Sequence, residues 1–112
     1  MAYLRKEKET MEIDYTLDKV WPAISKALAS LEWTIEEAND EKCNIKARTK
    51  ASFFSYASVL LISAAAVDEK TSRVTVTAET PVTTITAIVD FGRTRDRIEQ
   101  FFRALAKQLI SQ

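Results

Sequence analysis

The sequence predicts an α+β domain in which two helices cover one face of an antiparallel sheet. Three observations lead to this prediction. Several segments alternate apolar and polar residues with the period of two that half-exposed strands show, two segments repeat apolar residues at helical spacing, and short polar turns separate consecutive strand segments. Strands joined by short turns form antiparallel sheets that bury one face under helices. We therefore expect a single two-layer domain over residues 1–112, with five to six strands in the order β-α-β-β-β-β-(β)-α.

The first half of the chain predicts a strand, a helix and a hairpin. Pro22 is tolerated best in the first turn of a helix, which favours a helix start near Asp18, with Thr16 or Asp18 as the N-cap. Cys43 falls on the apolar side of its predicted strand, which indicates a buried and inert thiol. The predicted elements of this half are a strand over 10–17, a helix over about 18–31, and two hairpin strands over 33–36 and 43–48.

The second half predicts further strands and a closing helix. The segment 53–67 is apolar on both faces, which indicates a central strand or one whose outer face meets a partner. Pro81 interrupts the pattern after it, and apolar residues from Ile98 to Leu109 recur at helical spacing. The predicted elements are a long strand over 53–67, a strand over 73–80, a short edge strand over 82–89 and a helix over about 93–110.

Composition argues against several classes of function. Lys and Arg total 16, as do Asp and Glu, so no net charge would attract nucleic acid. The chain has no histidine and one cysteine, which removes the commonest general base, nucleophile arrangements that use histidine, and zinc clusters. We therefore expect no enzyme activity, no cofactor, no metal and no nucleic-acid partner. An enzyme built on carboxylates would need two acids facing one cavity, and most acids here fall on exposed strand positions.

Two features of the chain bear on its location. Residues 1–10 are charged and lack the apolar core of a secretory signal, which favours a cytoplasmic protein. The uncharged stretch 51–67 is shorter than the roughly 20 apolar residues that a spanning helix needs. We therefore predict a cytoplasmic protein without a membrane span.

The element order resembles the helix-grip folds. The resemblance rests on Leu17–Trp21 opening the first helix, on Asp90–Arg93 leading into Ile98–Phe102, and on the long amphipathic last helix. Helix-grip folds include the START and birch-pollen-allergen lipid-binding superfamily, the smaller BamC-type domains and small uncharacterised bacterial and archaeal proteins. The resemblance implies a last helix that lies across a curved sheet, with an apolar ligand between them in the larger members. This chain is shorter, so we expect a filled core.

The junction before the last helix is a candidate anion-binding site. The only glycine of the chain lies where a β-type run gives way to a helical pattern, and several arginines follow in the first turn. Cations are unfavourable there because of the helix dipole. In one interpretation, Asp90 caps the helix, and Asp96 and Glu99 pair with the arginines at the surface. In the other, the backbone N–H groups and the guanidinium groups bind a phosphate or carboxylate. The candidate residues are Gly92, Arg93, Arg95 and Arg97.

Four aromatic residues are candidates for an apolar groove, although large aromatic residues at helical or strand spacing more often fill the core. They are Trp21, Trp33, Tyr56 and Phe101. Tyr56 with Phe54 could also stack on single-stranded nucleic acid, but the neutral charge and the absence of the usual RNA-binding motif argue against this.

The sequence favours a non-enzymatic binding or assembly module. The double-faced apolar segment 53–67 predicts self-association through the sheet, as a homodimer. The alternative is a carrier of a small amphipathic or anionic ligand held between the sheet and the last helix. A third alternative, an enzyme, would need a cavity holding acids whose titration is displaced by burial.

Overall fold

In the part of the chain that the structure describes, five antiparallel strands form one sheet, and two helices pack on one of its faces. A computed structural model describes residues 3–50, 57–82 and 93–110. Within these residues the elements are β1 (Tyr3–Ile13), α1 (Leu17–Ser30), β2 (Thr34–Asn39), β3 (Asn44–Arg48), β4 (Val59–Ala66), β5 (Ser72–Val82) and α2 (Arg93–Ile110). The strand order across the sheet is β1-β5-β4-β3-β2. The predicted α+β arrangement is thereby confirmed.

The core lies between the two helices and one face of the sheet. Alternate residues of the three inner strands face the helices, and the other residues of these strands face away, as strand geometry requires. Full burial of each large apolar side chain stabilises the fold by about 1.5–3 kcal/mol. The largest fully buried apolar side chains of the described residues are Val20, Ile24, Leu28, Leu60, Ile62, Val74, Val76, Ile98, Phe101 and Leu105.

β1 is longer at its start and shorter at its end than the predicted strand over 10–17. It pairs with β5 along its whole length, from Tyr3 opposite Val82 to Ile13 opposite Ser72. The strand starts early because it pairs with β5 over this whole length. The sequence pattern does not reveal this start, because residues 5–9 are all charged and show no alternation of apolar and polar residues. Beyond Ile13 the chain turns towards α1.

α1 begins within one residue of its predicted start and ends in a left-handed residue. Thr16 is the N-cap position, and its carbonyl accepts hydrogen bonds from the backbone N–H groups of the first turn. At the other end, Glu32 has a φ of 60°. Its N–H donates to Ala29 at 3.0 Å, and the N–H of Trp33 donates to Leu28 at 3.1 Å. This is the Schellman motif, in which glycine is the usual left-handed residue.

The β2–β3 hairpin differs from its prediction at the turn. β2 continues to Asn39 and has an irregular register between Ile35 and Glu37. Cys43 has a φ of 53° and lies in the turn, where it is half-buried. The prediction that Cys43 occupies the apolar side of a strand is therefore wrong, because the residue lies just before β3 begins.

β4 is the central strand, as its two apolar faces predicted. Residues 53–56 of that predicted strand lie outside the described residues.

β5 continues through Pro81 to Val82, so the prediction that Pro81 interrupts the strand is wrong. In the described part of the sheet, the pairing of β5 with β4 ends at Glu79, and Pro81 pairs with β1 alone. Proline is tolerated where a strand has a neighbour on one side only. Residues 83–89 of the predicted edge strand over 82–89 lie outside the described residues.

Candidate ligand-binding groove

An open groove runs between α2 and the edge strand β1. Among the described strands β1 lies at the edge of the sheet, and the gap between this strand and the helix is open. Two adjoining clefts occupy the gap, and both are lined by Met11 and Phe102. We call this feature the α2–β1 groove.

One half of the α2–β1 groove is apolar. Its cleft has a volume of about 270 Å³. Met11 is 40% exposed and Ile110 is 77% exposed. The exposure indicates that the walls of the groove, and not only its floor, offer apolar surface. The apolar residues that line this half are Met11, Ile13, Tyr15, Phe102, Leu105, Ala106, Leu109 and Ile110.

The other half of the groove is charged. Its cleft has a volume of about 350 Å³ and is lined by two acids, Glu9 and Glu99, and two arginines, Arg95 and Arg103. Arg95 forms an ion pair with Glu9 across the cleft. Arg103 has no ion-pair partner among the residues that the structure describes. One guanidinium group in this half is therefore available to an anion without first losing a carboxylate.

Helical periodicity explains why α2 gives the groove these two halves. Residues three and four apart on a helix lie on the same face, so Arg95, Glu99 and Phe102 follow one another along the side that faces β1. The same stripe continues through Leu105 and Leu109. The helix thus presents charge near its start and apolar surface near its end.

The arginines predicted to form one anion site face different directions. Arg97 is two residues from Arg95, which corresponds to a rotation of about 200° around the helix. Arg95 lines the groove, whereas Arg97 is only 9% exposed and donates to the hydroxyl of Ser58. The structure therefore does not bring these two guanidinium groups together. Gly92 and the side chain of Arg93 lie outside the described residues.

Arg97 belongs to a buried cluster of hydroxyl groups beneath the first turn of α2. The Ser58 hydroxyl also bonds the Thr80 hydroxyl, which bonds that of Thr94 at 2.9 Å. Thr49 accepts a hydrogen bond from the backbone N–H of Ser58 at 2.8 Å. All five residues are buried. Buried polar groups are costly unless they are hydrogen-bonded, so this cluster holds the start of α2 on the sheet through satisfied polar contacts.

The predicted aromatic residues occupy separate places. Phe101 is fully buried in the core, while Trp21 and Trp33 are half-buried against it. The indole N–H of Trp21 donates to Asp40 Oδ1 at 3.1 Å, which joins α1 to the β2–β3 turn. Tyr56 lies outside the described residues. Sequence reasoning missed Phe102, which packs edge-on against Phe101 with ring centroids 5.5 Å apart and lines the groove.

Two carboxyl groups with displaced titration lie away from the groove. Hydrogen bonding from Lys50, at 2.7 Å, lowers the pKa of Glu32, and hydrogen bonding from Arg48, at 2.9 Å, lowers the pKa of Glu36. Both pairs are exposed, so they are surface ion pairs.

Over the described ranges no group of three His, Cys, Asp or Glu residues could hold a metal ion. In the same ranges no helix is both long and apolar enough to span a bilayer.

Solved structures share this fold over nearly the whole chain. Norcoclaurine synthase from Thalictrum flavum, solved with dopamine and hydroxybenzaldehyde, has a TM-score of 0.71 at 11% identity, and the match covers 98% of this chain and 88% of that chain. An aromatase/cyclase from a Streptomyces species has a TM-score of 0.68 at 9% identity, with 95% and 94% covered. An uncharacterised protein from Bacillus thuringiensis has a TM-score of 0.59 at 17% identity, with 91% and 99% covered.

These similarities confirm the predicted helix-grip fold of the birch-pollen-allergen and START type. At such low identity they concern the fold alone. No protein-family model and no curated protein matches the sequence.

Proposed function

We propose that the protein is a carrier that binds a small amphipathic anion in the α2–β1 groove. The single observation that carries this proposal is the contiguity of an apolar and a charged cleft, which share Met11 and Phe102. An aliphatic tail would lie along the apolar half, and a carboxylate or phosphate would meet Arg103 and Arg95 in the charged half. Guanidinium groups bind such anions through paired N–H donors.

The fold and the size of the groove support this proposal. One of the helix-grip neighbours was solved with two small aromatic molecules, dopamine and hydroxybenzaldehyde. The two clefts, of about 350 Å³ and 270 Å³, are each near the lower end of the roughly 300–1,000 Å³ typical of ligand sites. Burial of each methylene contributes about 0.8 kcal/mol when it is complete, and less in a groove that stays open on one side. We therefore expect modest affinity and fast exchange.

We infer binding without catalysis. The charged half offers two arginines and two acids, and the chain has no histidine. These groups suit recognition of a charged head group. Catalysis by the acids would require a carboxyl group whose pKa is displaced by burial next to the ligand.

Isothermal titration with dodecanoate, and amide chemical shifts recorded during the titration, test the proposal. We expect the largest shifts at Met11, Phe102 and Arg103. Arg103→Gln should weaken dodecanoate binding several-fold and leave dodecanol binding unchanged, because dodecanol lacks the anionic group. Arg48→Gln is the matched control, since Arg48 lies on β3, away from the groove, and pairs there with Glu36. Equal affinity of Arg103→Gln and the unaltered protein for dodecanoate would refute the head-group assignment, and shifts confined to other surfaces would refute the groove.

Self-association through the sheet stays a separate prediction, as does cytoplasmic residence. The outward face of β4 presents Leu61, which is 41% exposed, but the directly paired neighbours of Leu61 are Thr77 and Lys46. A dimer interface here would therefore be mixed in polarity. Light scattering at micromolar concentration distinguishes a dimer from a 12.7 kDa monomer.

A further inference from the structure

The face of the sheet turned away from the helices carries a cleft of about 730 Å³, which polar and apolar residues line together. It is larger than either cleft of the α2–β1 groove, which lies on the other side of the sheet. The cleft reaches from β1 to β2, the two edge strands, and so crosses the whole sheet.

Strand pairing arranges the residues of this outer cleft in two rows that cross all five strands. Residues that pair directly lie side by side on one face. The first row is Lys8, Thr77, Leu61, Lys46 and Glu37. The second row, two residues further along each strand, is Thr10, Thr75, Ser63, Asn44 and Asn39. Thr10 lies at the end of this row beside the cleft, and the other four residues line it.

The second row contains only uncharged side chains that donate and accept hydrogen bonds. Neighbouring strands are about 4.8 Å apart, so hydroxyl and amide groups follow one another at that interval. The Thr10 and Thr75 hydroxyls already bond each other at 3.2 Å. The row therefore offers a regular series of partners to a ligand that itself carries several hydroxyl groups.

The first row and the adjoining turn hold lysines without ion-pair partners. Lys8, Lys42 and Lys46 line the cleft and pair with no carboxylate among the described residues. Among the described residues of the lining, Glu37, directly opposite Lys46, is the one acid. By contrast, Lys6 pairs with Glu79 at 3.9 Å elsewhere on the same face. On this face of the sheet, the described lysines without an ion pair therefore line the cleft, with Lys8 and Lys46 separated at their backbones by three strand intervals, roughly 14 Å.

We propose that this outer cleft is a second binding site, for an anionic polyol such as a cyclitol or sugar that carries several phosphate groups. The lysines meet the phosphate groups as compact positive charges. The hydroxyl and amide row, with the Glu37 carboxylate as an acceptor, bonds the ring hydroxyls. Leu61, at the centre of the first row, contacts the C–H face of the ring.

The lining of the cleft favours a polyol over single-stranded nucleic acid. Proteins that bind single strands stack bases on aromatic side chains, and none of the described residues that line this cleft is aromatic. Its donors and acceptors suit hydroxyl groups. The proposal is independent of the α2–β1 groove, because the two sites lie on opposite faces of the sheet.

Titration calorimetry with inositol hexakisphosphate tests the site. We expect Lys8→Ala combined with Lys46→Ala to weaken binding at least tenfold. The matched control is Lys19→Ala combined with Lys26→Ala, which removes two exposed lysines of α1 and should leave the affinity unchanged. Equal weakening by both pairs would mean diffuse attraction and would overturn the proposal, as would a complete lack of binding by the unaltered protein.

A second comparison separates recognition of the polyol from attraction of charge alone. Ser63→Ala combined with Asn44→Ala should weaken inositol hexakisphosphate binding several-fold and leave tripolyphosphate binding unchanged. If both ligands respond alike, or if an oligouridylate binds more tightly than inositol hexakisphosphate, the assignment to a polyol is wrong. Both residues are surface side chains of paired strands, and thermal unfolding of each variant verifies that the fold is retained.

Discussion

Arg95, in the first turn of α2, forms an ion pair with Glu9 on β1. The start of a helix disfavours cations because the helix dipole is positive there, and the Glu9 carboxylate offsets this cost. The sequence suggested neighbouring Asp96 and Glu99 as partners, but the observed partner comes from a strand 86 positions away in the chain. The pair also spans the charged half of the α2–β1 groove. The same two residues therefore connect α2 to β1 and line the proposed anion site.

Removal of the Glu9 carboxylate should strengthen anion binding. In Glu9→Gln, the Arg95 guanidinium no longer has its competing carboxylate, so we expect dodecanoate to bind several-fold more tightly, as measured by calorimetry. Glu41→Gln, an exposed turn position outside the groove, serves as the control and should have no effect. Unchanged or weaker binding in Glu9→Gln would show that Arg95 does not contact the ligand.

The adjacent residues Phe101 and Phe102 should have different roles, one in stability and the other in ligand binding. Phe101→Ala should destabilise the fold by about 3–5 kcal/mol in urea unfolding, because it leaves a cavity in the core. Phe102→Ala should cost less stability, because its side chain is already half-exposed, but should weaken dodecanoate binding. If Phe102→Ala bound dodecanoate like the unaltered protein, the apolar half of the groove would not be the tail site.

The buried hydroxyl cluster should be sensitive to a substitution that preserves shape. Thr80→Val removes the hydroxyl that joins Ser58 to Thr94, and we expect a loss of about 1–3 kcal/mol of unfolding free energy. Thr34→Val, on an exposed position of β2, should stay within about 0.5 kcal/mol of the unaltered protein. Equal unfolding free energies for the two variants would mean that the cluster contributes nothing to stability.

Glycine should stabilise the left-handed end of α1. Glu32 has a φ of 60°, so Glu32→Gly should raise the unfolding free energy by about 0.5–1 kcal/mol. Its pair with Lys50 is exposed and contributes little. Glu32→Ala removes the same charge without the conformational freedom and should give no increase. Chemical denaturation of both variants measures the difference, and equal behaviour would assign the effect to charge.

Titration of Glu36 should report the hydrogen bond from Arg48. That bond lowers the pKa of the Glu36 carboxyl below its ordinary value of 4.5, so the pair stabilises the fold above that value and the contribution is lost as the pH falls through the lowered pKa. Carbon NMR of the side-chain carboxyl should show a return towards 4.5 in Arg48→Ala. A pKa that stays unchanged in Arg48→Ala would exclude this hydrogen bond as the cause.

Some elements could be predicted because their signal is local. α1 and α2 match their predicted bounds closely, since an apolar stripe at helical spacing determines which residues a helix buries. The central place of β4 followed from apolar residues on both of its faces. The early start of β1 and the continuation of β5 through Pro81 did not follow, because both depend on the partner strand and not on the residues themselves.

In the candidate sites, too, some features could be predicted from the sequence and others appear only in the tertiary structure. The periodicity of the sequence by itself determined the α+β layout and the core face of each helix, and the order of the elements carried the resemblance to helix-grip folds. Phe101, a candidate for the groove, proved to be a core residue. Tertiary structure alone decided that Arg95 meets Glu9 while Arg97 meets Ser58, and that Phe102 and Met11 share a groove. The reason is physical: helical and strand periods select the side of an element on which a residue lies. Register and the placement of α2 against the edge strand select what lies opposite, through contacts between residues far apart in the chain.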